Sequence, residues 1–302
     1  MSETSEMSGM PEIHHRAAVL GKPIAHSLSP ILHNAAYREL GLTDWFYDRA
    51  EVAEEDLERF ISNLDGTWRG LSLTMPLKKT VVPLGTPQDK WSQYLKVANT
   101  VVFRGDGRTL DLYNTDVSGI EAALNDRQGT ASGQANFAPV TRQCVILGSG
   151  STAASALAAV AELGAKRVVF AARHPQRALL LLSMAADLGV TAEAVSLEGL
   201  EAGDLKKAQY VISTIPAHGA DAFAKKIRES HLDASSLTLL DVVYDPRPSA
   251  LMKAVKERGG VALGGQTMLL WQAVAQVAVM TGTALDAVPV DAMRAALQEA
   301  LG

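Results

Sequence analysis

Apolar residues along this chain follow two rhythms, short unbroken runs and stretches spaced three and four apart. Residues 17–21 form a short apolar run that predicts a strand. Between residues 30 and 40, Ile31, Leu32, Ala35, Ala36 and Leu40 keep helical spacing and stop at Gly41, a good C-terminal signal. Residues 45–52 read as a strand, 54–64 as an amphipathic helix, and 70–75 as a strand closed by Pro76. Segments 100–104 and 109–113 flank Gly105-Asp106-Gly107, the chemistry of a hairpin turn. This first part predicts a βαβ-type domain with an antiparallel edge. Residues 126–141, rich in Gln, Ser, Gly, Asn and Thr, read as a surface loop between two halves. Beyond them come strand 144–147, helix 152–163, strand 167–172, helix 176–188, and strands 209–214 and 237–243. Near-continuous apolar strands separated by helices predict a parallel sheet covered on both faces.

Length and composition narrow the class. A chain of 302 residues predicts two domains, and 47% hydrophobic with 20% charged residues is an ordinary globular profile. A net charge of −5 argues against a nucleic-acid partner, which would call for a basic surface. The single cysteine, Cys144, excludes an intramolecular disulfide and sits in an apolar run, as a buried, inert thiol would. The seven histidines show no ligand spacing, so no metal is predicted. Residues 1–15 read as a disordered leader without the apolar core of a secretory signal. The most apolar helical stretch, 268–280, is too short for a bilayer, which takes about 20 residues. No membrane partner and a cytoplasmic location are therefore expected.

Candidate chemistry begins at Gly148-Ser149-Gly150-Ser151-Thr152-Ala153, which follows an apolar strand and opens an alanine-rich helix. That is the GxGxxA dinucleotide fingerprint in its required context, so the second domain is predicted to be of doubly wound, Rossmann type. Gly148 permits the tight turn, Gly150 lets backbone approach a pyrophosphate, and Ala153 allows close helix–sheet packing. A dinucleotide would place its phosphates on the free amides of the helix start. At the end of the next strand an NAD site usually carries a carboxylate for the ribose. This chain has Ala172-Arg173-His174, with Arg177 one turn later. Two arginines and no acid suit the 2′-phosphate of NADP.

Three segments of the first domain carry further polar groups. Ser29 reads as an N-cap with Pro30 at the first helical position, leaving Ser27 as a spare hydroxyl. The run Leu73-Thr74-Met75-Pro76-Leu77-Lys78-Lys79 leaves a strand through a proline, placing lysines where α/β ligands bind or in a solvated pair. In Asn114-Thr115-Asp116, Thr115 or Asp116 is a candidate helix cap or a site residue. Gln272 lies on a helix apolar on nearly every face and needs a partner there, a backbone group or a ligand. Gln276, one turn on, reads as structural.

Together the segments GKPIAHSLSP, SLTMPLKK, KVANT, YNTD, GSGSTA and GGQTMLLWQA, in this order and spacing, resemble the shikimate dehydrogenase family over nearly the whole chain from about Ala17. The resemblance implies NADP-linked, reversible reduction of 3-dehydroshikimate to shikimate, a step toward chorismate and the aromatic amino acids. It implies a substrate domain of residues 1–118 and 266–302 and an NADP-binding domain of residues 119–265. By position, Lys78 and Asp116 would be catalytic. Ser27 and Ser29 would bind the substrate carboxylate, while Thr74, Asn99 and Gln272 would contact ring hydroxyls and Tyr244 the substrate side. Gly148 to Ala153 would hold the pyrophosphate, Arg173 and Arg177 the 2′-phosphate, and Gly265 and Met268 would lie near the nicotinamide. Ser72, also expected at the substrate, stands where many members have Asn, which shortens one hydrogen-bonding arm. A monomer or homodimer is expected. Three rivals stand beside this reading: an NAD-preferring quinate/shikimate dehydrogenase, which would want an acid near Ala172; a non-catalytic nucleotide-sensing homologue, which would have lost Lys78 or Asp116; and a methylene-tetrahydrofolate dehydrogenase-like enzyme, which the Ser27/Ser29 segment does not support.

Overall fold

The computed structural model describes residues 12–105, 109–126, 142–243 and 245–302. They divide into two compact units, one within Met1–Gln88, Ala98–Tyr113 and Gln276–Gly302, the other within Asp89–Val97 and Asn114–Ala275. The expected leader and inter-domain loop fall mostly outside the described residues, at 1–11 and 127–141.

The first unit opens with β1 (His15–Gly21), α1 (Ser29–Glu39), β2 (Trp45–Glu51), α2 (Leu57–Ser62), β3 (Trp68–Leu73) and the short β4 (Thr86–Pro87). After α3 (Lys90–Leu95), which belongs to the second unit, come β5 (Thr100–Phe103) and β6 (Leu110–Tyr113). These strands form one sheet ordered β2-β1-β3-β5-β6-β4. β1 is parallel to β2 and β3, β5 is antiparallel to β3 and β6, and β4 is parallel to β6. The antiparallel strand is therefore interior, a correction to the expected antiparallel edge. The two-residue β4, too short to leave a periodic signal, pairs beyond β6 and takes the edge.

Burial explains these elements. β1 is covered on both faces from Ala17 onward, and Leu20, Leu71, Leu73, Val101 and Leu112 meet in one apolar core. Gly41, at φ +70°, lets the chain turn back after α1, with the Leu42 amide donating to the Tyr37 carbonyl at 2.8 Å. The expected helix 54–64 is a 3-10 turn, Glu54–Asp56, running into the shorter α2.

The second unit continues with α4 (Thr115–Asn125), β7 (Gln143–Leu147), α5 (Ser151–Glu162), β8 (Arg167–Ala172), α6 (Leu179–Asp187), β9 (Thr191–Ser196) and β10 (Ala208–Ser213). Then follow α7 (Asp221–Glu229), β11 (Thr238–Asp241), α8 (Ala250–Glu257), β12 (Val261–Gly264) and α9 (Gly265–Thr281), whose residues from Gln276 onward belong, with α10 (Val290–Leu301), to the first unit. All six strands are parallel, ordered β12-β11-β10-β7-β8-β9. Alternate residues of β7 enter two cores, Cys144 and Ile146 on one face and Val145 and Leu147 on the other. Burial pushes the Cys144 thiol up to about 12, so it carries no thiolate near neutrality. β9 escaped the hydrophobic pattern because it is a half-exposed edge strand. The direction of strand order reverses between β7 and β10, the switch point where ligands of such sheets bind. Among the described residues no helix is long and apolar enough to cross a membrane.

Candidate active site

In the first unit, sheet direction gathers the expected substrate residues at one end. β1 and β3 are parallel, so the loop carrying Ser27 and Ser29 and the turn carrying Thr74 and Lys78 leave from neighbouring C-terminal ends. β5 is antiparallel and begins at Thr100, paired with Ser72, which brings Asn99 to the same end. A Cβ on Gly21 would fall on the Thr74 methyl, so glycine there permits the close approach of the two connections.

The local structure differs from the expected helix cap. Leu28 occupies the N-cap position with helical dihedrals and no side-chain cap bond, so Ser29 is the first helical residue and does not cap. Its amide faces the Ser27 Oγ at 3.4 Å. Both serines are buried, and the Arg49 guanidinium holds the carbonyls of Ala25 and Ser27 beneath them. In the lysine pair, fully buried Leu77 and Val81 pin the turn, and the Ala98 amide donates to the Lys78 carbonyl at 2.9 Å. Lys78 is thereby half-buried while Lys79 faces solvent.

Behind Asn99 lies a polar network that sequence reasoning passed over. Gln276 Oε1 accepts from Ser72 Oγ at 2.8 Å and meets His33 Nε2 at 3.3 Å. Its Nε2 donates to Thr100 Oγ1 at 3.0 Å and to the Asn99 carbonyl at 3.3 Å. Tyr47 Oη donates to Ser72 Oγ at 2.5 Å, and Thr100 Oγ1 donates to Asn99 Oδ1 at 3.0 Å. All six residues are buried. Burial lowers the His33 pKa to about 3, against a smaller upward pull from Gln276, and raises that of Tyr47. The available signal was a second glutamine on the apolar helix, four residues after Gln272.

In the second unit Asn114 caps α4, accepting from the Asp116 amide at 3.1 Å, and its Nδ2 donates to the Val97 carbonyl at 3.1 Å. Neither Thr115 nor Asp116 is the cap. Asp116 is buried in the first turn, where the helix dipole favours a carboxylate. Gln272 is buried and donates to the Leu269 carbonyl at 2.9 Å. α4 and α9 meet closely there, a Cβ on Gly119 lying 2.8 Å from that of Gln272. Tyr244 lies outside the described residues.

The glycine turn sits at the switch point. Gly148 has φ +117°, and a Cβ there would fall on the Thr214 hydroxyl, so only glycine fits. Gly150 is the N-cap of α5 with no side-chain cap bond, and a Cβ on it would meet nothing within 4 Å. The protein's own packing thus does not require glycine at 150, whereas close approach of a ligand would. Ser149, Ser151 and Thr152 are partly exposed there, and Ala153 is fully buried against the sheet. Arg173 and Arg177 are exposed beyond β8, and that strand ends without an acid. Gly265 packs on the Val242 carbonyl, where a Cβ would collide, and Met268 is buried in the core beneath α5. A cavity of about 240 Å³ opens at the ends of β10 and β11, beside Asp241, Val243 and Ser249, and none of the expected cofactor residues lines it. Burial raises the Asp241 pKa there, opposed by a 2.6 Å bond from Ser249.

A parallel doubly wound sheet with a glycine turn at its switch point, on a chain with a second α/β unit, is the architecture of a dinucleotide-binding protein. Residues 19–101 match the family model described as the shikimate dehydrogenase substrate binding domain. Shikimate dehydrogenase (NADP(+)) of Methanothermobacter thermautotrophicus is 31% identical over 95% of this chain and 97% of its own length. Among solved structures, Mycobacterium tuberculosis shikimate dehydrogenase is 35% identical, with a TM-score of 0.80 over 94% of this chain and 99% of that one. The Thermus thermophilus enzyme, in complex with NADP(H) and shikimate, is 27% identical, with a TM-score of 0.75 over 95% and 99%. This chain belongs to the shikimate dehydrogenase family.

Proposed function

We propose that this protein catalyses the NADP-dependent, reversible reduction of 3-dehydroshikimate to shikimate. One observation carries the reading: sheet direction brings Ser27, Ser29, Thr74, Lys78 and Asn99 to one end of the first sheet, in a member of this family. The substrate falls to residues 1–118 and 266–302 and NADP to residues 119–265. The protein acts in the cytoplasm as a monomer or homodimer, without a nucleic-acid partner.

The second unit fits the cofactor. Gly150 leaves the α5 amides open to a pyrophosphate, and Arg173 and Arg177 supply charge for a 2′-phosphate where an acid would select NAD. When bound, NADPH supplies the hydride. Gly265 and Met268 would border its nicotinamide.

The chain's own residues do the rest. Ser27 and Ser29 donate to the substrate carboxylate; Thr74, Asn99, Gln272 and Tyr244 bind on the ring side. Lys78 donates to the carbonyl oxygen and stabilises the charge that develops there. Asp116 orients the ammonium and balances its charge. In the oxidative direction Lys78 takes the hydroxyl proton. Ser72, whose only hydroxyl hydrogen goes to Gln276, supports the site from behind.

The test is absorbance at the reduced-nicotinamide band with shikimate or quinate, under NADP+ and then NAD+. Turnover of shikimate with NADP+ well above every other pair is expected. Preference for NAD+ or for quinate would replace this reading with the rival dehydrogenase. Binding of NADP+ without turnover of any hydroxy acid would make the protein a sensor.

A further inference from the structure

Gln276 uses its whole hydrogen-bonding capacity inside the first unit, two acceptor sites on Oε1 and two donors on Nε2. The orientation of its carboxamide follows from one fact. The Asn99 backbone carbonyl can only accept, so the carboxamide end 3.3 Å from it must be Nε2. Oε1 therefore faces Ser72 and His33, and Ser72 must donate its single hydrogen to Gln276. The Ser72 oxygen is then left to accept from Tyr47. On the other side Nε2 donates to Thr100 Oγ1, and Thr100 Oγ1 in turn donates to Asn99 Oδ1. The relay runs one way, from Tyr47 through Ser72, Gln276 and Thr100 to Asn99.

We propose that Gln276 is a positioning residue that fixes the side-chain amide of Asn99 with Oδ1 toward Thr100 and Nδ2 turned the opposite way, so that Asn99 meets the substrate as a hydrogen-bond donor. The inference rests on the reading of Asn99 as a substrate residue. A flipped Asn99 amide would take Oδ1 away from the Thr100 hydrogen that it now accepts, and would offer the substrate an acceptor instead. The titratable groups on this network are His33 from α1 and Tyr47 from β2.

Gln276→Glu in the full-length enzyme tests it, because a neutral carboxylic acid keeps one donor and an ionised carboxylate keeps none. With the carboxylate, Thr100 turns its hydrogen to residue 276 and releases Asn99. The KM for shikimate should stand about tenfold above the unmodified enzyme at high pH and return to within about threefold as the acid protonates, with kcat changing less. Thr100→Val, which cuts the relay while leaving Gln276 in place, should raise KM at every pH and serves if the glutamate variant does not fold. Asn99→Ala must raise KM as well. If it does and neither relay variant moves KM at any pH, Gln276 is merely structural and the proposal falls. If Asn99→Ala leaves KM unchanged, Asn99 is no substrate residue and the positioning role falls with it. No turnover of shikimate by the unmodified enzyme sinks the functional reading itself.

Discussion

Acidification from about pH 7 to about pH 5 puts a defined load on His33. The ring is fully buried, stacked on Tyr47 with centroids 3.9 Å apart, and its pKa is lowered from 6.5 to about 3 chiefly by burial. A folded pKa below the unfolded one means that the unfolded chain takes up the proton first. Stability is therefore fully present above 6.5 and is lost as pH falls from there toward 3. At 1.36 kcal/mol per unit the loss reaches about 2 kcal/mol at pH 5 and about 5 kcal/mol below the folded pKa. Glu121 acts in the opposite sense. Its pKa is raised to about 7 by burial first and the nearby Glu162 second, against Lys90, so its share of stability is largest in acid and is lost as pH rises through 7. The two slopes overlap in the unmodified protein, and only a difference isolates His33. Urea unfolding of the unmodified protein and of His33→Gln, each at both pH values, supplies that difference. The variant should start less stable, through lost stacking, but should lose about 2 kcal/mol less between the two pH values. Nitrogen-15 spectra of the imidazole should show a neutral Nε2–H tautomer still in place at pH 5. Parallel losses in the two proteins, or a His33 ring titrating near 6, would refute the reasoning.

Lys78→Ala should lower kcat on the order of 100- to 10,000-fold with little change in KM for shikimate; a raised KM at near-normal kcat would make Lys78 a binding residue. Arg173→Ala should raise KM for NADP+ about 10- to 100-fold and leave KM for NAD+ nearly unchanged, the signature of a lost charge-assisted bond to the 2′-phosphate. Gly148→Ala places a Cβ on the Thr214 hydroxyl at a left-handed φ. It should lower stability by about 1–3 kcal/mol and weaken NADP+ binding, read by thermal unfolding and by cofactor titration.

The periodic elements and the dinucleotide turn could be read from local pattern, because each is written in contiguous residues. Strand β8 falls at 167–172, as its apolar run predicts, and the glycine turn lies between β7 and α5 where the fingerprint requires it. Elements with a weak local signal were missed or misjudged. β4 has two residues, β9 is half-exposed, and the helix that Ser29 was expected to cap has Leu28 at its N-cap and starts on Ser29.

The sequence by itself determined the α/β class, the family and the residue types available for chemistry. Only the tertiary structure decided what each polar side chain does. Lys78 and Lys79 are indistinguishable in the chain, yet beside buried Leu77 and Val81 one is half-buried and the other exposed. Gln276 read as structural beside Gln272, and its partners arrive from α1, β3 and β5, far apart in sequence. The physical reason is that periodicity records whether a side chain leaves water. The partner that a buried donor or acceptor then finds is set by sheet order and strand direction, and neither is a property of neighbouring residues.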